Sequence, residues 1–240
     1  MRKKFVHLVI LGFTIAFAKA QTFEKDMELV NKKFVNSIKI SYKINYILRE
    51  SHDELSRVIS KNSGKYAKHN SAYISVYDTK ATLVNAKEII LIDGTDKQIR
   101  VKKMDAKKPL PVPDFVTQLR EYNKQVSGIT REVHEKGVVV YDVTLKDVGL
   151  FPISHYQLTI DTHSGYLKQM TLFYKKPMER DDDFNISGSE IPRLDIIFSE
   201  FNNDKLLNTK ELDPSYYYSK FDETLLPSVN FKGYDVKEIF

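Results

Sequence analysis

Polar and apolar positions change period several times along this chain, and each change predicts an element. From Phe5 to Phe17 nearly every residue is apolar, with Arg2, Lys3 and Lys4 before the run and Ala18-Lys19-Ala20 after it. A charged start, a short apolar run and a small-x-small triplet form the pattern of a cleaved secretion signal over residues 1–20, which puts the mature start at Gln21. The run falls short of the roughly 20 apolar residues that span a bilayer. Phe23, Met27, Val30 and Phe34 then recur every three to four positions, with Glu24, Lys25, Asp26 and Lys32 elsewhere, predicting an amphipathic helix. A clear period of two follows, in which Ile38, Ile40, Tyr42, Ile44, Tyr46 and Leu48 alternate with Lys39, Ser41, Lys43 and Asn45. This predicts a strand with one buried and one wet face.

Further strands are predicted from Leu55 to Ile59, Lys65 to Lys68, Ala72 to Tyr77, Lys80 to Ile92 and Gln98 to Lys103. Asn62-Ser63-Gly64 and Asp93-Gly94-Thr95-Asp96-Lys97 are read as turns, because Gly tolerates positive φ and Asn or Asp can bond nearby backbone. Pro109-Leu110-Pro111-Val112-Pro113 excludes a central strand or helix interior and reads as a stiff connector. Phe115, Leu119 and Tyr122 predict a second short helix from Asp114 to Val126, with Asp114 at its N-terminus. Strands resume over Ile129–His134, Val138–Lys146, Ile153–Asp161, Tyr166–Lys176 and Arg193–Phe201, with a tight hairpin at Asp161-Thr162-His163-Ser164-Gly165. Arg180-Asp181-Asp182-Asp183 reads as a charged loop, and Tyr216-Tyr217-Tyr218 as an exposed edge. The expected fold is mainly β within the α+β class: a meandering antiparallel sheet of about ten or eleven strands, covered by two or more short helices, in one domain over residues 21–240.

Composition narrows the class of partner. The whole chain carries a formal charge of +5, but residues 1–20 contain Arg2, Lys3, Lys4, Lys19 and no acid. Their removal leaves 33 basic against 32 acidic side chains and a charge of +1, so the basic balance gives no argument for nucleic acid. No apolar run after Gln21 is long enough for a transmembrane helix. The sequence has no cysteine, which excludes disulfides, thiolate metal sites, cysteine nucleophiles and acylation at a lipoprotein cysteine. Export without disulfide staples fits a bacterial envelope protein held by its core, in the periplasm first and secreted second.

Reactive constellations are weak. Asp183 to Gly188 has the oxygen spacing of a calcium loop up to the sixth-position glycine, but position twelve is Leu194 where a bidentate Glu is needed. His52, His69, His134, His155 and His163 show no metal-ligand spacing. Asp161, His163 and Ser164 are the residue types of a hydrolase triad, but they sit in one tight turn and are better explained as turn formers. The expectation is no enzyme, no cofactor and no metal site. The positive signal is aromatic: Tyr42, Tyr46, Tyr141, Tyr156 and Tyr174 share strand faces with Ile40, Ile44, Val143, Leu158 and Leu172, a composition suited to the wall of a concave apolar site or to core filling.

Glu88-Ile89-Ile90-Leu91-Ile92-Asp93-Gly94-Thr95-Asp96-Lys97-Gln98-Ile99 resembles the strand, Asp-Gly turn and strand of the periplasmic outer-membrane lipoprotein carriers, the Lol-type (LolA-like) superfamily. Tyr156 to Asp161 with Gly165-Tyr166-Leu167 is similar to a later hairpin of that family, and the order of helix, long strand, meander and mid-chain helix follows it too. The resemblance implies an unclosed, curved half-barrel whose hollow is covered by helices and receives acyl chains, with no catalytic residue. The family's carriers have an arginine on an early strand, whereas the corresponding region here, Lys65 to His69, has none. The expected ligand is therefore an acyl chain, lipid or lipoprotein. Its walls would be Ile40, Tyr42, Ile44, Tyr46, Leu158, Met170, Leu172, Ile196 and Phe198, and its lid Phe23, Met27, Val30 and Phe34. The alternative is a non-enzymatic envelope scaffold or secretion-machine component, packed solid and acting through a protein partner.

Overall fold

The computed structural model describes residues 22–104, 119, 121–134, 137–147, 152–178, 188–203 and 209–239. The expected secretion signal, the proline connector, Asp114 and Phe115 of the second helix, the 180–183 loop and most of the calcium-like segment lie outside these residues. Helix α1 covers 22–34, and its four predicted apolar residues are all buried. Helix α2 is described at 119 and 121–123, and Val126, expected as its last residue, already begins a strand.

Fourteen strands are described: β1 Lys39–Arg49, β2 Val58–His69, β3 Ala72–Tyr77, β4 Lys80–Val84, β5 Glu88–Asp93, β6 Gln98–Lys103, β7 Val126–Val133, β8 Val138–Leu145, β9 Ile153–Asp161, β10 Tyr166–Tyr174, β11 Arg193–Asn202, β12 Tyr218–Phe221, β13 Thr224–Pro227 and β14 Asp235–Ile239. Twelve form one sheet in the order β14-β6-β5-β4-β3-β2-β1-β11-β10-β9-β8-β7, and β12 pairs with β13 separately. Among the described residues its outer strands, β14 and β7, are not paired with each other, so the sheet is open, as expected of the half-barrel class. The runs β2 to β6 and β7 to β11 are antiparallel meanders. β14 departs from the meander by lying parallel to β6.

The chain forms two compact units, each drawn from three segments. The first takes the described residues within 1–36, 47–60 and 118–197 and contains α1, α2 and β7–β10; the second takes those within 37–46, 61–117 and 198–240 and contains β3–β6 and β12–β14. In the second unit Ile74, Leu83, Ile90, Ile99 and Val101 form a core that also takes in Tyr217. Tyr217 is therefore core rather than exposed edge. Its ring meets those of Tyr216 and Phe231, while the Tyr218 hydroxyl donates to Glu88 at 2.6 Å.

Three local expectations are corrected. Asn62-Ser63-Gly64 does not turn, because β2 runs straight through it. Gly64 is needed for close approach, since a Cβ there would sit 2.3 Å from the Val76 carbonyl oxygen. The chain reverses earlier, around Asp53 and Ser56, which leaves Leu55 in a turn and 91% exposed. The predicted strand from Lys80 to Ile92 is two, divided where the Asn85 side chain accepts from the Lys87 and Glu88 amides. Ile38 precedes β1 and is exposed, outside the face to which its period assigned it. The other turns form as expected. Asp93 accepts from the Thr95 and Asp96 amides, and Asp161 from those of His163 and Ser164, with Gly165 at φ +72° completing the hairpin.

Candidate functional site

In the first unit the alternation of β8, β9 and β10 turns Tyr141, Val143, Tyr156, Leu158, Met170 and Leu172 to one face, in register across the strands. All six are buried. Helix α1 contributes Phe23, whose ring stands edge-on to Tyr141 at 5.0 Å, and Phe34, edge-on to Tyr166 at 6.3 Å. On α2, Leu119 and Tyr122 are buried, and the Tyr122 ring lies 5.9 Å from Tyr156. The apolar stripe and the apolar sheet face are what the sequence period predicted.

Two tyrosine hydroxyls on neighbouring strands bond to the helices. Tyr141 Oη donates to Asp26 Oδ2 of α1 at 2.6 Å, and Arg131 Nε of β7 donates to Tyr141 Oη at 3.2 Å. Burial first, and then the bond to Asp26, push the Tyr141 hydroxyl up to about 12. Tyr156 Oη donates to Asn123 Oδ1 of α2, and burial raises its pKa as well. Asp26 is only 7% exposed, a buried acid on a helix whose other acids, Glu24 and Glu28, face water. The sequence period alone places it on the polar side of the helix, with Glu24 and Lys25. Its place next to Met27 gives the one available signal, since a residue beside the apolar stripe can reach under the helix edge.

The expected wall residues are all buried except Tyr46, which is half-buried. They divide between the units. Leu158, Met170, Leu172 and Ile196 lie in the first with the stripe of Phe23, Met27, Val30 and Phe34, whereas Ile40, Tyr42, Ile44, Tyr46 and Phe198 lie in the second. There the Tyr42 ring stacks on Tyr66 at 5.0 Å and lies 5.8 Å from Phe198, while Tyr46 meets Tyr77 edge-on at 5.0 Å. Burial, and then the neighbouring Tyr66, raise the Tyr42 pKa well above its ordinary value. A concavity of about 490 Å³ in the second unit is bordered by His69, Ala72, Asn85, Lys87, Leu212 and Pro214, none of them an expected site residue.

The opposite face of the first unit holds a cluster that the sequence reading missed. Asp195 of β11 is buried between two guanidiniums, with Arg193 Nη2 donating at 3.0 Å and Arg49 Nε at 3.1 Å, while Thr171 Oγ1 donates at 2.9 Å. The Arg193 guanidinium also lies over the Phe173 ring. His155 stacks on Phe173, with ring centroids 4.0 Å apart, and His52 is edge-on to the same ring at 5.1 Å. Strand alternation predicts that Arg193 and Asp195 share a face, but not that the face is buried. Among the described residues no three His, Asp or Glu side chains converge as metal ligands, and no helix is long and apolar enough to cross a membrane.

No known family model matches the chain, and no curated protein matches it. The solved structures to which the chain is similar include an uncharacterized conserved protein from Thermus thermophilus, at 10% identity and a TM-score of 0.46, covering 91% of this chain and 99% of that one. A second is a LolA superfamily protein from Nitrosomonas europaea, at 10% identity and a TM-score of 0.33, covering 80% of this chain and 98% of that one.

Proposed function

We propose that the mature chain is an exported periplasmic protein that shelters an apolar ligand with an acyl chain beneath α1, the helix acting as a lid. The observation that carries this reading is the construction of the α1-facing side of the first unit. A largely apolar sheet face meets an amphipathic helix, and a hydrogen bond from Tyr141 to Asp26 links the two. Lifting the helix breaks that polar link, and an acyl chain can take over its apolar contacts. Met27 and Met170 suit an adaptable lining, since an unbranched thioether repacks readily. Each buried methylene contributes about 0.8 kcal/mol, so a sixteen-carbon chain offers on the order of ten kcal/mol before ordering costs.

The second reading, an envelope scaffold acting through protein contacts, is favoured by the complete burial of Ile40, Leu158 and Met170. Native mass spectrometry of residues 21–240, purified from a bacterial periplasm without detergent, separates the two. A discrete added mass that extracts as lipid is the expected result. A bare mass that stays bare after incubation with fatty acids and phospholipids would overturn the carrier reading in favour of the scaffold.

A further inference from the structure

The polar spot beneath α1 has an arrangement that apolar packing does not require. A helix of this kind could have presented another apolar residue at position 26, yet it buries a carboxylate against Tyr141. The hydroxyl that Asp26 engages also accepts a hydrogen bond from Arg131 Nε, and the Arg131 guanidinium lies 6.0 Å from the Tyr141 ring centroid. Arg131 Nη1 and Nη2 have no acceptor among the described residues. Asp26 forms no ion pair with Arg131, so the arginine's two strongest bidentate donors are left over. The group is a carboxylate held by a tyrosine, with a half-buried guanidinium beside it whose terminal nitrogens bond to no other described residue.

We propose that Arg131 and Tyr141 form the head-group site for a carboxylate-bearing acyl ligand, a long-chain fatty acid, and that Asp26 stands in for the ligand's carboxylate when the site is empty. The proposal rests on the acyl-chain reading above and gives it a ligand class. A carboxylate entering at Arg131 can take the Tyr141 hydrogen and the free Nη donors together, which Asp26 does not do. Its arrival releases Asp26 to water and α1 from its polar anchor, so head-group binding and lid opening are one exchange. A neutral amphiphile of the same length would gain the apolar contacts alone.

The test compares palmitate with hexadecanol, by displacement of a fluorescent probe at neutral pH, on the mature chain and on Arg131→Met and Asp26→Asn. Arg131 lies in a strand at the edge of the sheet, and folding of each variant is checked by far-UV circular dichroism. Expected results are a preference for palmitate in the parent, a loss of roughly tenfold or more for palmitate alone in Arg131→Met, and tighter palmitate binding in Asp26→Asn, where the competing charge is gone. Equal affinity for the two ligands in the parent, or unchanged palmitate binding by folded Arg131→Met, overturns the head-group site while leaving acyl binding intact. Failure of the parent to bind either ligand overturns the acyl-chain reading itself.

Discussion

One side chain on the polar face of the first unit, His155, is placed to make stability fall in mild acid. His155 is pressed against Phe173 and bonded through Nδ1 to Ser154 Oγ, and burial holds its pKa below the ordinary 6.5. Asp142 acts against that depression and His52 reinforces it. In the unfolded chain His155 titrates near its ordinary value, so as pH falls through about 6.5 the unfolded state takes up the proton first. Stability is therefore present above that pH and is lost as pH falls towards the depressed folded value. One proton gives a slope of at most about 1.4 kcal/mol per pH unit, and partial exposure of the ring keeps the effect below that limit. Urea unfolding of the parent and of His155→Gln between pH 7.5 and 5 checks this, with the variant expected to show the flatter dependence. An unchanged slope would assign the acid response to other groups.

Whole elements show what a single sequence does and does not disclose. Where one face is dry and the other wet, the period alone located the element, as α1 from its stripe of four; alternation located β1 as well, although Ser41 on its polar side is buried. Asp161 and Asp93 were equally legible, because an aspartate followed two or three residues on by free amides makes its own turn. The candidate site's apolar half was thus readable from local pattern. Its polar half was not, because the Asp26 and Tyr141 partnership spans 115 positions and no local rule connects them. Gly64 failed for a related reason: the same residue serves a turn or a close interstrand approach, and only the neighbour's carbonyl decides which. Gly64→Ala is accordingly expected to force β2 and β3 apart and destabilise the protein by roughly 1–3 kcal/mol, the range for overpacked sites. Amide exchange should show the loss centred on the Gly64 to His69 and Ala72 to Tyr77 pairing. Wild-type stability in that variant would show that β3 yields to a Cβ at Gly64 at no cost, and that the close approach does not require glycine.

At the scale of the whole molecule, the path of the chain governs how it comes apart. Neither compact unit is a continuous stretch, and the divisions at 46/47, 60/61 and 197/198 fall inside β1, β2 and β11 rather than in linkers. A strand that loses its hydrogen bonds in one unit loses part of the same ladder that serves the other. Without a flexible connector at any of these three points, the boundary that usually lets domains melt separately is missing. No cysteine is present to add a covalent tie, so cooperativity must come from packing and from these shared strands. A truncation in one unit should therefore be felt in both. Tyr217→Ala removes a buried ring from the core of Ile74, Ile90 and Ile99 and is expected to cost about 3–5 kcal/mol. Pulse-labelled hydrogen exchange along a urea series would follow β5 and β9, one strand from each unit. The expected outcome is one midpoint for both strands in the parent and an equal downward shift of both in the variant. If β5 moved while β9 kept its midpoint, the units would be folding independently, and the continuity of β1, β2 and β11 would carry no cooperative weight.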